Sequence, residues 1–233
     1  MYKYDLGIIG GMGSEATVEI YKRIINKTKH SCDQEHMRIC ILNNSIIPDR
    51  TKCILENGEN PLPYLNESIK DLENIKAKYF IVPCNTAHYF SSLFEIHNIK
   101  FISMIDETLN YINNNYSNYK VCILGTTGTI KSRVYHNDNN AKNLNFVYAN
   151  TEEQNNIMQV ITDTKSDQER RIIKNNLINT ITNIKQREGN CLFVLACTEL
   201  SLYLEDCKKQ FEVIDAMDCL VNSAIIKCGY KLK

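Results

Sequence analysis

Residues 5–13 read DLGIIGGMG, and residues 120–128 read KVCILGTTG. Each is a short apolar, β-branched run that ends on glycine where a helical pattern begins, as expected of a strand turning sharply into a helix. Gly10 and Gly13 recur as Gly125 and Gly128, an offset of 115. A second pair follows in the same order. YFIVPCNTAH (79–88) and LFVLACTEL (192–200) are both buried-strand patterns that run into a cysteine and then a threonine, and Cys84 and Cys197 lie 113 apart. Two features repeated in order at nearly one offset predict two similar halves.

The rest of the chain continues the alternation. Apolar runs predict strands near 4–10, 38–43, 78–83, 99–103, 119–125, 144–149, 191–195 and 212–215. Helical spacing predicts helices over 14–28, 61–77, 87–96, 105–116, 151–161, 167–188, 199–209 and 216–229. The clearest of them opens on Ser166-Asp167-Gln168-Glu169, which has the form of a capping box. It carries Ile173, Leu177, Ile181 and Ile184 on one face and stops at Gly189. Strands alternating with helices imply βαβ units. The expected fold is α/β: two similar Rossmann-like αβα lobes with mostly parallel sheets and a cleft between them. The polar break Asn113-Asn114-Asn115 sets the expected division, with 1–113 as the first lobe, completed by 215–233, and 114–214 as the second.

Composition narrows the function. Over 233 residues, 27 Lys and Arg balance 27 Asp and Glu, so no basic excess speaks for a nucleic-acid partner. At 43% hydrophobic and 23% charged, the chain has the composition of a folded domain. No apolar stretch approaches the roughly 20 residues of a bilayer span, and the opening Met1–Asp5 runs into a strand without the form of a secretory signal. A cytoplasmic protein with no membrane partner is expected. Ten cysteines invite a disulfide framework or a zinc site. The first belongs to short secreted chains, and for the second there is no Cys-x-x-Cys pair. Most of the cysteines therefore read as small buried hydrophobes, and no metal is expected.

Cys84 and Cys197 differ from the others by position. In open parallel sheets ligands bind beyond the carboxyl ends of the strands, and both cysteines sit at such an end before a predicted helix. A helix N-terminus lowers a thiol pKa and offers free N–H groups to a carboxylate. Asn85, Thr86 and Thr198 add short polar side chains at the same turns. Two facing halves would aim two thiols at one small anionic substrate. Such a pair suits proton removal from one face of a carbon and proton return to the other. Read alone, the repeat leaves ordinary strand-end cysteines as an equal alternative.

The motifs settle the direction. GIIGGMG (7–13) with Ala16-Thr17, DQEH (33–36), NN-x-IIPDRT (43–51), PCNTAH (83–88), TTGTI (126–130) and ACTEL (196–200) span nearly the whole chain. In this order they resemble the aspartate/glutamate racemase family, and within it the cofactor-independent aspartate racemases. The resemblance implies catalytic cysteines at Cys84 and Cys197, Arg50 on the substrate's side-chain carboxylate, and Asn85, Thr86 and Thr198 on its α-carboxylate. It implies cleft positions for Met12 and Thr127 and, through a looser local match, for Lys165. It also implies an acidic amino acid as substrate, no cofactor and a homodimer. Cys197-Thr198-Glu199, in place of Cys-Thr-His, and His88 both point to the aspartate branch over the glutamate branch. Ser14 departs from the family's proline, and as a good N-cap it is expected to start the same helix.

Blander readings stand beside these. Gly7-x-x-Gly10-Gly11-x-Gly13 is not G-x-G-x-x-G, and Asn43-Asn44 occupies the place of a ribose-binding acid, so a nicotinamide cofactor is not expected. By composition Arg50 is a surface arginine; its place after a strand end favours a carboxylate clamp. His88 and Glu199 either tune the thiols or cap helices. Rival functions are another reaction on small dicarboxylates, a non-catalytic two-lobed amino-acid binder, and a dithiol redox protein, which lacks its Cys-x-x-Cys.

Overall fold

In the computed structural model, which describes residues 2–116, 118–136, 139–166 and 169–233, the two glycine-ended runs are central strands of two separate sheets. β1 (Tyr4–Gly10) lies between β2 (Ile39–Asn43) and β3 (Ala77–Ile81), with β4 (Lys100–Phe101) beyond β3. β5 (Lys120–Gly125) lies between β6 (Asn145–Val147) and β7 (Cys191–Ala196), with β8 (Val213–Asp215) beyond β7. Every pairing in the two sheets is parallel. Both sheets thus have the same internal order, second-first-third-fourth, as the repeat predicts. Strands covered on both faces read as continuous apolar runs, and all six residues of β7 are buried.

The helices supply that cover. α1 (Ser14–Lys27) and α9 (Ala216–Lys227) pack Ile20, Ile24, Met217, Leu220 and Val221 against Leu6 and Ile8 on one face of the first sheet. On the other face α3 (Leu62–Asn74) packs Leu65, Ile69 and Leu72 against Ile9 and Phe80. The second sheet is covered by α6 (Thr151–Thr164) and α7 (Arg170–Glu188) on one side. On its other side lies α4 (Met104–Asn115), whose Ile105, Leu109 and Ile112 meet Val121, Ile123, Leu192 and Val194. The chain therefore crosses twice: α4 follows the first sheet but packs on the second, and α9 follows the second but packs on the first. The two crossing helices also touch each other.

Several local expectations are corrected. α7 begins at Arg170 after Glu169, which makes no side-chain cap. Asp167 and Gln168 of the expected capping box lie outside the described residues, and the Ser166 hydroxyl donates to the Asp163 carbonyl instead. A reciprocal capping box opens α6, where Asn150 and Glu153 each accept the other's backbone N–H. The helices expected over 87–96 and 199–209 are 3-10 turns at Thr86–Leu93 and Leu200–Tyr203, the latter followed by the short α8 (Leu204–Lys208). Two further short helices, α2 (Arg50–Glu56) and α5 (Thr127–Lys131), have no counterpart in the periodicity because neither has enough turns to show a face. β4 and β6 are shorter than their apolar runs. Ser14 is the first residue of α1 and not its cap, a position that suits proline; its hydroxyl accepts from the Asn43 amide. The loop before it needs glycine at position 11, where φ is +89° and a Cβ would come within 2.4 Å of the Asn44 carbonyl.

Candidate active site

A cavity of about 260 Å³ opens beyond the carboxyl ends of the central strands, between the lobes. From the first sheet's side it is lined by Met12, Arg50, Cys84, Asn85 and Thr86, and from the second by Thr126, Lys165, Cys197, Thr198 and Glu199. Both thiols therefore border one space of a size that suits a small ligand. Of the residues singled out in the sequence, Thr127 and His88 do not line it. The neighbouring Thr126 does, while the Thr127 N–H donates to the Met158 sulfur.

Each thiol is placed by a strand end. Cys197 directly follows β7 and is 7% exposed. Cys84 follows β3 through Val82 and Pro83, with its N–H donating to the Val82 carbonyl at 2.8 Å, and is 8% exposed. His88 reaches back from the following turn: its Nδ1 lies 2.9 Å from the Cys84 carbonyl, and its Nε2 accepts the Met104 N–H at 2.9 Å. Those two partners require the neutral Nδ1–H tautomer. Burial pushes the His88 pKa down to about 4, against the opposing pull of its bond to Cys84. His88 thus holds the Cys84 backbone and stays uncharged.

Cys197 has a different environment. Its thiol donates to Glu199 Oε2 at 2.9 Å, and Glu199 Oε1 pairs with the Lys165 ammonium at 3.2 Å. Thr198 donates weakly to the same carboxylate at 3.3 Å. Burial and then the Glu199 charge push the Cys197 thiol well above its ordinary pKa, with Lys165 pulling the other way. Burial would lower the Lys165 pKa, but Glu199 and the nearby thiols raise it overall. The expected lowering of the thiol pKa by a helix N-terminus is absent at Cys197, because a 3-10 turn follows it and an anion sits beside it.

Arg50 and Asn85 lie on the wall formed by the first lobe. Arg50 opens α2, its Nη1 donating to the Ile47 and Pro48 carbonyls at 3.2 and 2.9 Å. Among the described residues, Arg50 Nε and Asn85 Nδ2 are buried polar atoms with no partner, a state that usually marks a place for a missing acceptor. The other end of the Asn85 amide is occupied: Oδ1 accepts from the Tyr135 hydroxyl at 2.6 Å. Thr86 is committed to Thr126 and Thr129, at 2.9 Å each, so its hydroxyl ties the lobes together beneath the cavity. Tyr135 carried no signal in the sequence, since it acts from the second lobe on a residue 50 positions earlier, and Thr126 was quoted within TTGTI but not singled out as a cavity residue. A second cavity of about 460 Å³ adjoins the first and shares Met12, Arg50, Lys165, Thr198 and Glu199.

The arrangement has close relatives. The family model described as Asp/Glu/hydantoin racemase matches residues 9–224. The broad specificity amino-acid racemase RacX of Bacillus subtilis is 22% identical over 229 residues, covering 94% of this chain and 96% of its own. Among solved structures, Picrophilus torridus aspartate racemase superposes with a TM-score of 0.86 at 31% identity, over 98% of this chain and 95% of that one. The glutamate racemase isoform RacE1 of Bacillus anthracis, at 16% identity and a TM-score of 0.64 over 98% of this chain and 84% of its own, shares the fold. Two matching parallel lobes, a cavity bordered by a cysteine from each, and a family match over most of the length place this chain in the Asp/Glu/hydantoin racemase family.

Proposed function

We propose that the protein racemises aspartate without a cofactor, by proton transfer between Cys84 and Cys197. The observation that carries the reading is the pair of thiols, one from each matching strand end, bordering one small cavity. In this reading the substrate's α-carboxylate takes the unpartnered Asn85 amide nitrogen, and its side-chain carboxylate takes the free edge of Arg50. One cysteine, as thiolate, removes the α-proton; the electron pair is left on the α-carbon and delocalises into the carboxylate. The other cysteine, as thiol, returns a proton to the opposite face. The two sulfurs thereby exchange protonation states, and the enzyme is set for the reverse reaction. Fixed donors lining the cavity stabilise the developing charge without reorganising.

A second reading, glutamate or a broader range of amino acids, is favoured by the adjoining cavity beyond Arg50 and Met12, which leaves room for longer side chains. Proton NMR of L-aspartate with reduced enzyme in D2O decides between them. Loss of the α-proton signal with D-aspartate accumulating is the expected result. Exchange on glutamate alone moves the assignment to the second reading, and no exchange on either amino acid overturns the assignment to acidic amino acids.

A further inference from the structure

The Asn85 amide has two chemically opposite ends, and only one orientation offers a donor to an anion. Left to itself, a buried primary amide beside a cavity can turn either its oxygen or its nitrogen toward the ligand. Here the choice is made from the other lobe. The Tyr135 hydroxyl donates to Asn85 Oδ1 at 2.6 Å, and both residues are buried, at 2% and 3% exposure. That bond leaves Nδ2 without a partner, at a residue lining the cavity with the two thiols.

The phenol is itself fixed. Tyr135 belongs to the core between α4 and the second sheet, packed with Ile105, Leu109 and Val194. The Thr108 hydroxyl, whose proton goes to the Met104 carbonyl at 2.7 Å, lies beside the phenol. Met104 is also the residue whose N–H holds His88, and His88 holds the Cys84 carbonyl. Cys84 is therefore held through His88 from Met104 at the start of α4, and Asn85 is held by Tyr135, which packs against the same helix.

We infer that Tyr135 is a positioning residue for substrate: by occupying Asn85 Oδ1 it keeps the amide nitrogen presented to the substrate's carboxylate. Resting on the racemase reading, this places a specificity element for carboxylates in a residue that never touches the ligand. Because the α-carboxylate is held in the ground state and gains charge as the proton leaves, losing the orientation weakens binding and lowers turnover as well.

The experiment is a double-mutant cycle on the full chain with Tyr135→Phe, Asn85→Ala and both together, read by racemisation of L-aspartate and by calorimetric binding of malonate, a dicarboxylate that cannot racemise. Tyr135→Phe is expected to raise the KM for aspartate and the Kd for malonate about tenfold, with a fall in kcat beside it. Asn85→Ala is expected to raise both at least as much. The double variant is expected to match Asn85→Ala, because Tyr135 acts only through the amide. Effects that multiply in the double variant, or a Tyr135→Phe that lowers kcat and leaves KM and Kd unchanged, overturn the inference. Unchanged circular dichroism and gel-filtration profiles for Tyr135→Phe separate positioning from folding. If wild type binds malonate but does not racemise aspartate, the racemase reading fails while the malonate arm still tests Tyr135. If wild type does not bind malonate, the inference falls with it.

Discussion

Two cysteines of the same residue type, at matching strand ends, sit in unlike surroundings. Cys197 donates to a carboxylate that is itself paired with Lys165, whereas the Cys84 main chain is held by a neutral histidine. Cys84→Ala and Cys197→Ala are each expected to abolish racemisation while retaining slow α-proton exchange on one enantiomer only, the opposite one in each variant. NMR in D2O on the separate enantiomers checks this, and undiminished racemisation in both variants contradicts the two-thiol scheme. The pH profile carries a second expectation. A thiol acts as base only when ionised, so the limb that depends on Cys197 rises through its raised pKa. Replacing Glu199 by Gln removes a negative charge beside the thiol and leaves Lys165 in place, which lowers that pKa. For the enantiomer deprotonated by Cys197, the rising limb of kcat/KM should move to lower pH by about one unit, on the scale of a close charge. A limb that stays put or moves to higher pH counts against Glu199 as the controlling charge. The motifs PCNTAH and ACTEL made the thiols stand out because each carries a strand pattern, a cysteine and a threonine within a few residues. The salt bridge to Lys165 was less legible: Lys165 caps a helix 34 residues before Glu199, and only folding brings them within 3.2 Å.

Among elements, length decided what the sequence could disclose. β1, β5 and β7 are buried on both faces and read as unbroken apolar runs, and α4 and α9 each place apolar residues at helical spacing. α2 and α5 have seven and five residues, too few for a period, yet α2 carries Arg50 to the cavity and α5 starts directly after Thr126, which lines it. The turn at Thr86–Leu93 is 3-10 rather than α because its first residues are held by tertiary partners: Thr86 by two threonines of the second lobe, and His88 by Cys84 and Met104. That pinning makes stability depend on pH. The unfolded chain takes up a proton on His88 near pH 6.5, while the folded chain resists until about pH 4. Between those values the unfolded state binds more protons, so stability is full above about pH 6.5 and falls as pH drops toward 4. At 1.36 kcal/mol per pH unit the loss from this one residue is on the order of 3 kcal/mol. Urea unfolding at pH 7.5 and 4.5 should therefore show a larger acid loss in wild type than in His88→Asn, which keeps a donor for the Cys84 carbonyl but cannot charge. Equal acid losses would show that His88 is not the buried proton acceptor.

At the scale of the whole molecule, the cavity exists because the lobes approach closely, and one glycine sets how closely. The packing of α4 on the second sheet was invisible in sequence, because an apolar helix face does not say which sheet it will meet. Nor could the repeat reveal where the halves would touch. Gly128, the match of Gly13 in the repeat, lies against the first lobe. A Cβ there would stand 2.7 Å from Thr51 Oγ1 and 3.0 Å from Thr86 Cγ2. Thr51 follows Arg50 in α2, and Thr86 follows Asn85, so the contact lies directly behind two residues that line the cavity. Neither threonine can swing clear cheaply: Thr86 is held by two hydroxyls, and the Thr51 Cα itself lies 3.1 Å away. Gly128→Ala should then part the lobes by a few tenths of an ångström just behind the substrate. Overpacking of this kind costs about 1–3 kcal/mol, and small misplacements of binding groups cost far more in rate than in stability. The expected result is a destabilisation of that size in urea unfolding and a fall of about tenfold or more in kcat/KM for the substrate. Adding Thr51→Ala to Gly128→Ala removes the nearest clashing atom and should recover part of both. If Gly128→Ala retains full kcat/KM, the lobes are free to adjust at this contact, and the site's geometry must be set by the crossing helices alone.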